Sequence, residues 1–313
     1  MLGGQKYEIF PIFIYLRRIM KSQRRAYFYA FAAIACWSTI GSAFKLTLQY
    51  TSPAGLLFIA SLVATLVLFS IMAWQKKISL LKSLTIREFL FSGFLGFLNP
   101  FMYYLVLLKA YDLLKAQEAG TLNYIWPLVL VLLSIPMLGQ KISFTSILAI
   151  LVSFSGIILI SYHPDRVGDP DGVANPTGVI LAVGSAFFWA LYWIFNIKDQ
   201  RETISKLFLN FCFGLLYTTI YLLISRQFQL PDWKGIAGGV YIGLFEMGIT
   251  FVLWLKALNY SSTTAKVSNL IYLSPFISLI IIHFTVGETI LPSTVAGLLL
   301  IIGGITLQRY LKR

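Results

Sequence analysis

Apolar residues along this chain do not alternate with polar ones. They form long runs of roughly 20 residues, the length a helix needs to cross a hydrocarbon core of about 30 Å. Short polar stretches separate one run from the next. The pattern predicts ten helices: Tyr27–Gln49, Ala54–Trp74, Arg87–Leu108, Ala116–Leu138, Ile142–Tyr162, Pro176–Ile197, Thr203–Ile224, Gly235–Ala257, Thr263–Phe284 and Ile290–Tyr310. A helix satisfies its own backbone hydrogen bonds, which lipid cannot do for it. The expected fold is therefore all-α and integral to a membrane, with the lipid bilayer as its surroundings.

Composition agrees. Of the 313 residues, 58% are hydrophobic and 12% are charged; soluble domains carry about a quarter charged. The net charge of +13 would suggest nucleic acid in a soluble protein. Here the basic residues lie in short loops and at the termini, so no nucleic-acid partner is expected. With the N-terminus inside, 17 of the 25 Lys and Arg fall in inner segments and 5 in outer ones. That asymmetry places both termini in the cytoplasm, at a cell inner membrane, and an even number of spans follows. Residues 1–25 read as a cytoplasmic segment. Met20, followed by Lys21, Arg24 and Arg25, is a candidate start, and Ile9–Leu16 is too short to span. No cleaved signal is expected.

Internal similarity adds an architecture. Leu108-Lys109-Ala110 returns as Leu255-Lys256-Ala257, 147 residues on. After one inserted residue Tyr124 meets Tyr272, Pro127 meets Pro275, Gly139 meets Gly287 and Gly156 meets Gly304; earlier, Trp37 meets Trp189. The expected units are residues 26–162 and 176–311, joined by a polar link at 163–175. Five helices is an odd number, so the second copy enters the membrane from the opposite side. Inverted repeats of this kind put a substrate site near the midplane between the halves.

Several motifs carry a family resemblance. The two copies, with Gly287-Glu288 before the last helix, resemble EamA-type members of the drug/metabolite transporter superfamily. In the first half Trp37-Ser38-Thr39, the run Glu118–Pro127, Gly139-Gln140-Lys141 and Ser185–Tyr192 resemble aromatic amino acid exporters of that superfamily. The resemblance covers about Arg25 to Arg309 and implies ten helices, a central cavity and export of amino acids or related metabolites. In the second half Phe245-Glu246-Met247 and Lys256-Ala257-Leu258 look like generic superfamily sequence.

Glu246 is the leading candidate for chemistry. It lies mid-helix, where insertion of a charged side chain is unfavourable by roughly 2.5–3.5 kcal/mol. It should face a partner or a wet cavity, as a substrate or proton site, or as a neutral acid bonded between helices. Its mate 147 residues earlier is Asn99, followed by Pro100, which kinks a helix and marks a hinge or a fixed bend. Pro127 and Pro275 are further hinge candidates.

Glu118, near an outer helix start with Lys115 one turn away, is either a dipole-stabilised cap or a charge partner. Lys266 occupies the matching position and is a candidate for a substrate carboxylate. Asn123, Tyr124 and Trp126 belong to the exporter-like run. With Tyr192 and Tyr272 they offer a surface that could stack a flat ring or hold a cation; each could equally fill a helix contact. Gly93, Gly96, Gly238, Gly239, Gly243, Gly303 and Gly304 read as close-packing positions. Lys45 should snorkel to the interface.

Cys36 and Cys212 read as small buried side chains. His163 and His283 are isolated, so no metal is expected. There is no phosphate loop and no catalytic constellation, so neither a cofactor nor an enzymatic activity is expected. The leading expectation is a secondary exporter of a small-molecule substrate, amino acids foremost. The alternative is proton-coupled efflux of drugs or hydrophobic cations anchored by Glu246. Oligomeric state is left open.

Overall fold

The computed structural model describes residues 22–138, 144–162, 174–226, 231–261, 267 and 269–311. Lys266, residues 1–21 and most of the 163–175 link lie outside them. All the regular structure among the described residues is helical. We number the α-helices α1 (Gln23–Thr47), α2 (Pro53–Trp74), α3 (Ile86–Gly96), α4 (Tyr103–Leu113), α5 (Ala116–Asn123), α6 (Trp126–Leu138), α7 (Phe144–Tyr162), α8 (Pro176–Lys198), α9 (Thr203–Ser225), α10 (Trp233–Ile242), α11 (Ile249–Tyr260), α12 (Ser274–Val286) and α13 (Pro292–Leu311). A π-helical turn, Phe97–Met102, joins α3 to α4, and a second, Gly243–Gly248, joins α10 to α11.

Helix starts follow local chemistry. Ser52 caps α2 by accepting from the Gly55 N–H, with Pro53 in the first turn; Asn175 and Pro176 do the same for α8. Such residues satisfy N–H groups that have no partner inside the helix. Thr85 and Glu88 form a reciprocal capping box on α3.

Seven helical stretches are long and apolar enough to cross a membrane: 23–47, 53–74, 86–113, 116–137, 176–196, 203–225 and 233–260. Three shorter apolar helices, Ile150–Ser161, Leu270–Val286 and Pro292–Leu307, accompany them. The outside of the bundle is apolar, with Leu66, Leu90, Ile158, Ile180, Leu223 and Phe284 all exposed. Water would not tolerate so much apolar surface; lipid requires it.

Packing respects an exchange of the two halves. Helix α1 packs on α11, and α8 packs on α4. Likewise α1 meets α12, while α8 meets α5 and α6. The α10–α11 turn packs on α2 as the α3–α4 turn packs on α9, and α2 pairs with α9, and α7 with α13. Glycines seat the two π turns. A Cβ on Gly96 would lie 2.4 Å from the Asn210 carbonyl oxygen, and one on Gly243 would lie 2.6 Å from that of Ala60. Gly156 and Gly297 bring α7 and α13 together in the same way. Gly303 differs from expectation: nothing lies within 4 Å of its Cβ position.

Loop contacts sort the bundle into two ends. At one end Lys45 Nζ donates to the carbonyls of Tyr111 (2.9 Å) and Leu114 (2.6 Å), and Lys234 lies over the Tyr50 ring. Lys45 thus caps the last turn of α4 and does not simply reach for the interface. At the other end Lys77 pairs with Glu202 at 2.9 Å, Arg201 donates to the Glu88 carbonyl at 3.1 Å, and Ser261 bonds Gln23. Arg201 also forks onto Asp199 at 2.6 Å. Burial alone would raise the Asp199 carboxyl, but bonds from the Arg201 side chain and backbone outweigh it, and the net result lies below its ordinary value. Glu202 is lowered too, its partial burial outweighed by Lys77 and the Ser205 N–H.

Candidate functional site

Three helical stretches break partway along their length, and a fourth helix, α12, starts from a 3-10 turn. Asn99 leaves the helix altogether (φ −151°, ψ 122°), and Pro100 follows it inside the π turn. Glu246 lies in the matching π turn. Helix α5 ends at Asn123, two turn residues follow, and Pro127 sits in the first turn of α6. A 3-10 turn, Asn269–Leu273, precedes α12, whose first turn holds Pro275. All three candidate hinge prolines therefore stand at helix breaks. Discontinuous helices at mid-depth leave backbone and side-chain polar groups free for a ligand, and π turns recur at functional sites.

Glu246 is half-buried. Its Oε1 accepts from the Tyr104 hydroxyl at 2.9 Å, and Tyr104 itself is fully buried. The Tyr103 ring lies 4.7 Å from that of Tyr104, and the Tyr103 hydroxyl donates to Asn123 Oδ1 at 3.2 Å. Asn123 Nδ2 in turn donates to Ser185 Oγ at 2.8 Å. Tyr111 and Tyr124 complete the group of hydroxyls within electrostatic reach of Glu246. Tyr124 also interacts with Ser274 and lies near Tyr272. On the Glu246 side of the break, the Thr250 hydroxyl donates back to the Phe245 carbonyl.

Aromatic rings wall this region. Trp189 is the hub: Tyr103 lies 4.6 Å from it, Trp193 5.8 Å, and Trp126 and Phe251 6.4 Å each. Phe251 reaches Trp37 at 6.3 Å, and Trp37 reaches Trp254 at 5.4 Å. Trp37 and Trp189 are repeat mates, so the wall has contributions from both halves. Trp37, Trp126 and Trp189 are all half-buried.

The predicted residues do not all meet. Glu246, Asn123, Tyr124, Trp126 and Tyr272 cluster with the aromatic wall. Asn99 points elsewhere. It is buried beside Tyr192 and Asn210, and none of these three side chains completes a hydrogen bond of normal geometry. Tyr192 stacks on Trp189 at 6.0 Å from behind. Glu118 is buried, and its Oε2 accepts from the Lys115 N–H at 3.3 Å, the capping arrangement weighed as one alternative. Cys36 and Cys212 are half-buried free thiols, not fully buried ones.

Tyr103, Tyr104 and Phe251 were not singled out from sequence. A signal existed: the spacing of 147 that pairs Asn99 with Glu246 also pairs Tyr104 with Phe251. A separate cleft of about 280 Å³ lies between α2, α4, α8 and α9, lined by Pro53, Leu105, Leu181 and Tyr221 with Lys109 among them. It is not part of the Glu246 cluster. Among the described residues no group of His, Cys, Asp or Glu could hold a metal ion.

The sequence profile of the EamA-like transporter family matches twice, over residues 24–162 and 176–309. The uncharacterized transporter YvbV of Bacillus subtilis is 25% identical over 214 residues, 67% of this chain and 68% of that protein. An uncharacterized transporter of Acidianus ambivalens is 28% identical over 174 residues, 54% of this chain and 65% of that one. The aromatic amino acid exporter YddG of Salmonella typhimurium is 22% identical over 162 residues, 48% of this chain and 52% of the exporter. The chain thus matches between about half and two thirds of the length of these relatives. A protein crystal structure shares the fold with a TM-score of 0.61 at 20% identity, covering 93% of this chain and 100% of that chain. A helical bundle with an apolar exterior, helices broken partway along their length and two matches to one transporter profile lead to a single assignment: this chain belongs to the EamA-like transporter family.

Proposed function

We propose that the protein is a secondary transporter that exports small metabolites, amino acids and aromatic ones among them, by alternating access. Ten spans in two inverted halves, both termini cytoplasmic, in the cell inner membrane, complete the reading. The exchange-symmetric packing and the sorting of loops to two ends support it. The observation that carries it is the Glu246 carboxyl. It sits in a helix break, half-buried, bonded by Tyr104 and with no ion pair among the described residues.

A zwitterionic amino acid fits these groups. Its ammonium would pair with Glu246, and a ring side chain would stack among Trp37, Trp126 and Trp189. The Asn123 amide would orient it. The test is counterflow of labelled amino acids in proteoliposomes, over a full panel, with and without a pH gradient. Wild type should move at least one class, and Glu246→Gln should lose that movement while remaining monodisperse. No movement of any amino acid would defeat the substrate class.

The same carboxyl, with no ion pair among the described residues, favours a second reading, efflux of hydrophobic cations. Cationic dye uptake into inverted vesicles, abolished by Glu246→Gln, would select it over the first.

A further inference from the structure

Gly287-Glu288 stands outside the Glu246 cluster, yet it makes some of the most elaborate contacts in the molecule. Gly287 has φ +80°, a conformation that residues with a Cβ rarely adopt. The turn swings Glu288 away from its own helix and onto the start of α5, in the other half. Glu288 Oε1 accepts from the Ala116 N–H at 2.6 Å and Oε2 from the Gln117 N–H at 3.1 Å. These N–H groups belong to the first turn of a helix, where they have no intrahelical partner and the dipole favours an anion.

The Gln117 side chain returns the contact. Its Nε2 donates to the Thr289 carbonyl at 2.8 Å, and its Oε1 accepts from the Leu291 N–H at 3.1 Å. His283 Nδ1 holds the Glu288 carbonyl oxygen at 2.8 Å. One turn away, Thr285 donates to Ser42 of α1 at 2.8 Å. Lys45 ties α1 to the end of α4 beside the same loop.

Every one of these bonds except those of His283 and Lys45 joins a first-half element to a second-half element. The position 148 residues before Glu288 is Gln140, a side chain of the same length without the charge. The repeat mates at this motif are therefore unequal in the sequence: a carboxylate at 288, a neutral amide at 140.

We infer that Glu288 is the latch of the outer gate: its carboxylate, clamped on the N-terminus of α5, closes the Lys45 end of the bundle and biases the transporter towards the state open at the opposite end. The inference rests on the alternating-access reading above. Opening that end must break both N–H···carboxylate bonds and the Gln117 pair. Glu288→Gln keeps the size and one acceptor oxygen but loses the charge assistance that makes such bonds about twice as strong as neutral ones.

The test uses the full chain in nanodiscs, with Cys36 and Cys212 replaced by Ala. One reporter cysteine is placed at Ser42, buried beside Thr285 at the latched end, or at Ser261, buried beside Gln23 at the other end. Maleimide labelling rates are measured with and without Glu288→Gln. The latch requires reciprocity: Ser42→Cys labels faster, by about tenfold for the loss of one charge-assisted bond, and Ser261→Cys labels more slowly. Unchanged rates overturn the proposal. A rise at both reporters also overturns it, because that is loosened packing and not a shift between gates. If both reporters label at the rate of a freely exposed thiol before Glu288 is changed, alternating closure itself fails, and the proposed function falls with it.

Discussion

Gly243 opens the π turn that carries Glu246, and replacing it with Ala tests how that turn is seated. The added Cβ would lie 2.6 Å from the Ala60 carbonyl oxygen and 2.7 Å from the Val63 Cβ. Ordinary contact begins at 3.4 Å, so α10 and α2 would have to separate by about 0.8 Å, a gap that forfeits a quarter to a half of the dispersion between the facing atoms. The obstacle on one side is backbone, which cannot rotate away. Overpacking of this kind destabilises by about 1–3 kcal/mol. The assay is thermal unfolding of the purified protein, followed by loss of the monodisperse peak after heating. Gly243→Ala should lower the apparent midpoint by at least ~2 °C. Gly184→Ala is the control: nothing lies within 4 Å of its Cβ position. There, the better helix propensity of Ala by about 1 kcal/mol should leave stability unchanged or improved. The two changes therefore have opposite signs. If Gly243→Ala melts with wild type, or if both fall equally, the close seating of the turn on α2 is wrong.

Three further outcomes follow from the same geometry. Tyr104→Phe removes the only hydroxyl that bonds Glu246 directly among the described residues, so transport should fall roughly 10-fold, for a charged hydrogen bond worth about 1.5–3 kcal/mol; an unchanged rate would remove Tyr104 from the site. Arg201→Met removes both side-chain bonds to the Asp199 carboxyl, leaves it the Arg201 N–H, and should destabilise by about 1–3 kcal/mol. Because the folded-state value of Asp199 is depressed, its contribution is complete above the ordinary 3.8 and is lost as pH falls through the folded value beneath it. Acid unfolding of wild type should steepen in that window, and Asp199→Asn should flatten it.

Long apolar runs determined by themselves that this is a membrane-embedded helical chain, because a continuous apolar run of about 20 residues can cross lipid as a helix that satisfies its own backbone hydrogen bonds. The duplication was equally legible, and it led from Asn99 to Glu246 as equivalent positions. Both do stand at π turns. What the duplication could not say is where each side chain goes. Asn99 turns into the packing of α8 and α9, while Glu246 turns to Tyr104, 142 residues away in the chain. Lys45 looked like an interfacial cation, yet it caps α4, because a helix end with unpaired carbonyls happens to pack beside it. Glu288 reaches Ala116 across 172 residues, a contact that exists only once the halves are docked. Spans and repeats are properties of local sequence and solvent. Partners are decided by which helix faces meet, and that is a property of the packed bundle.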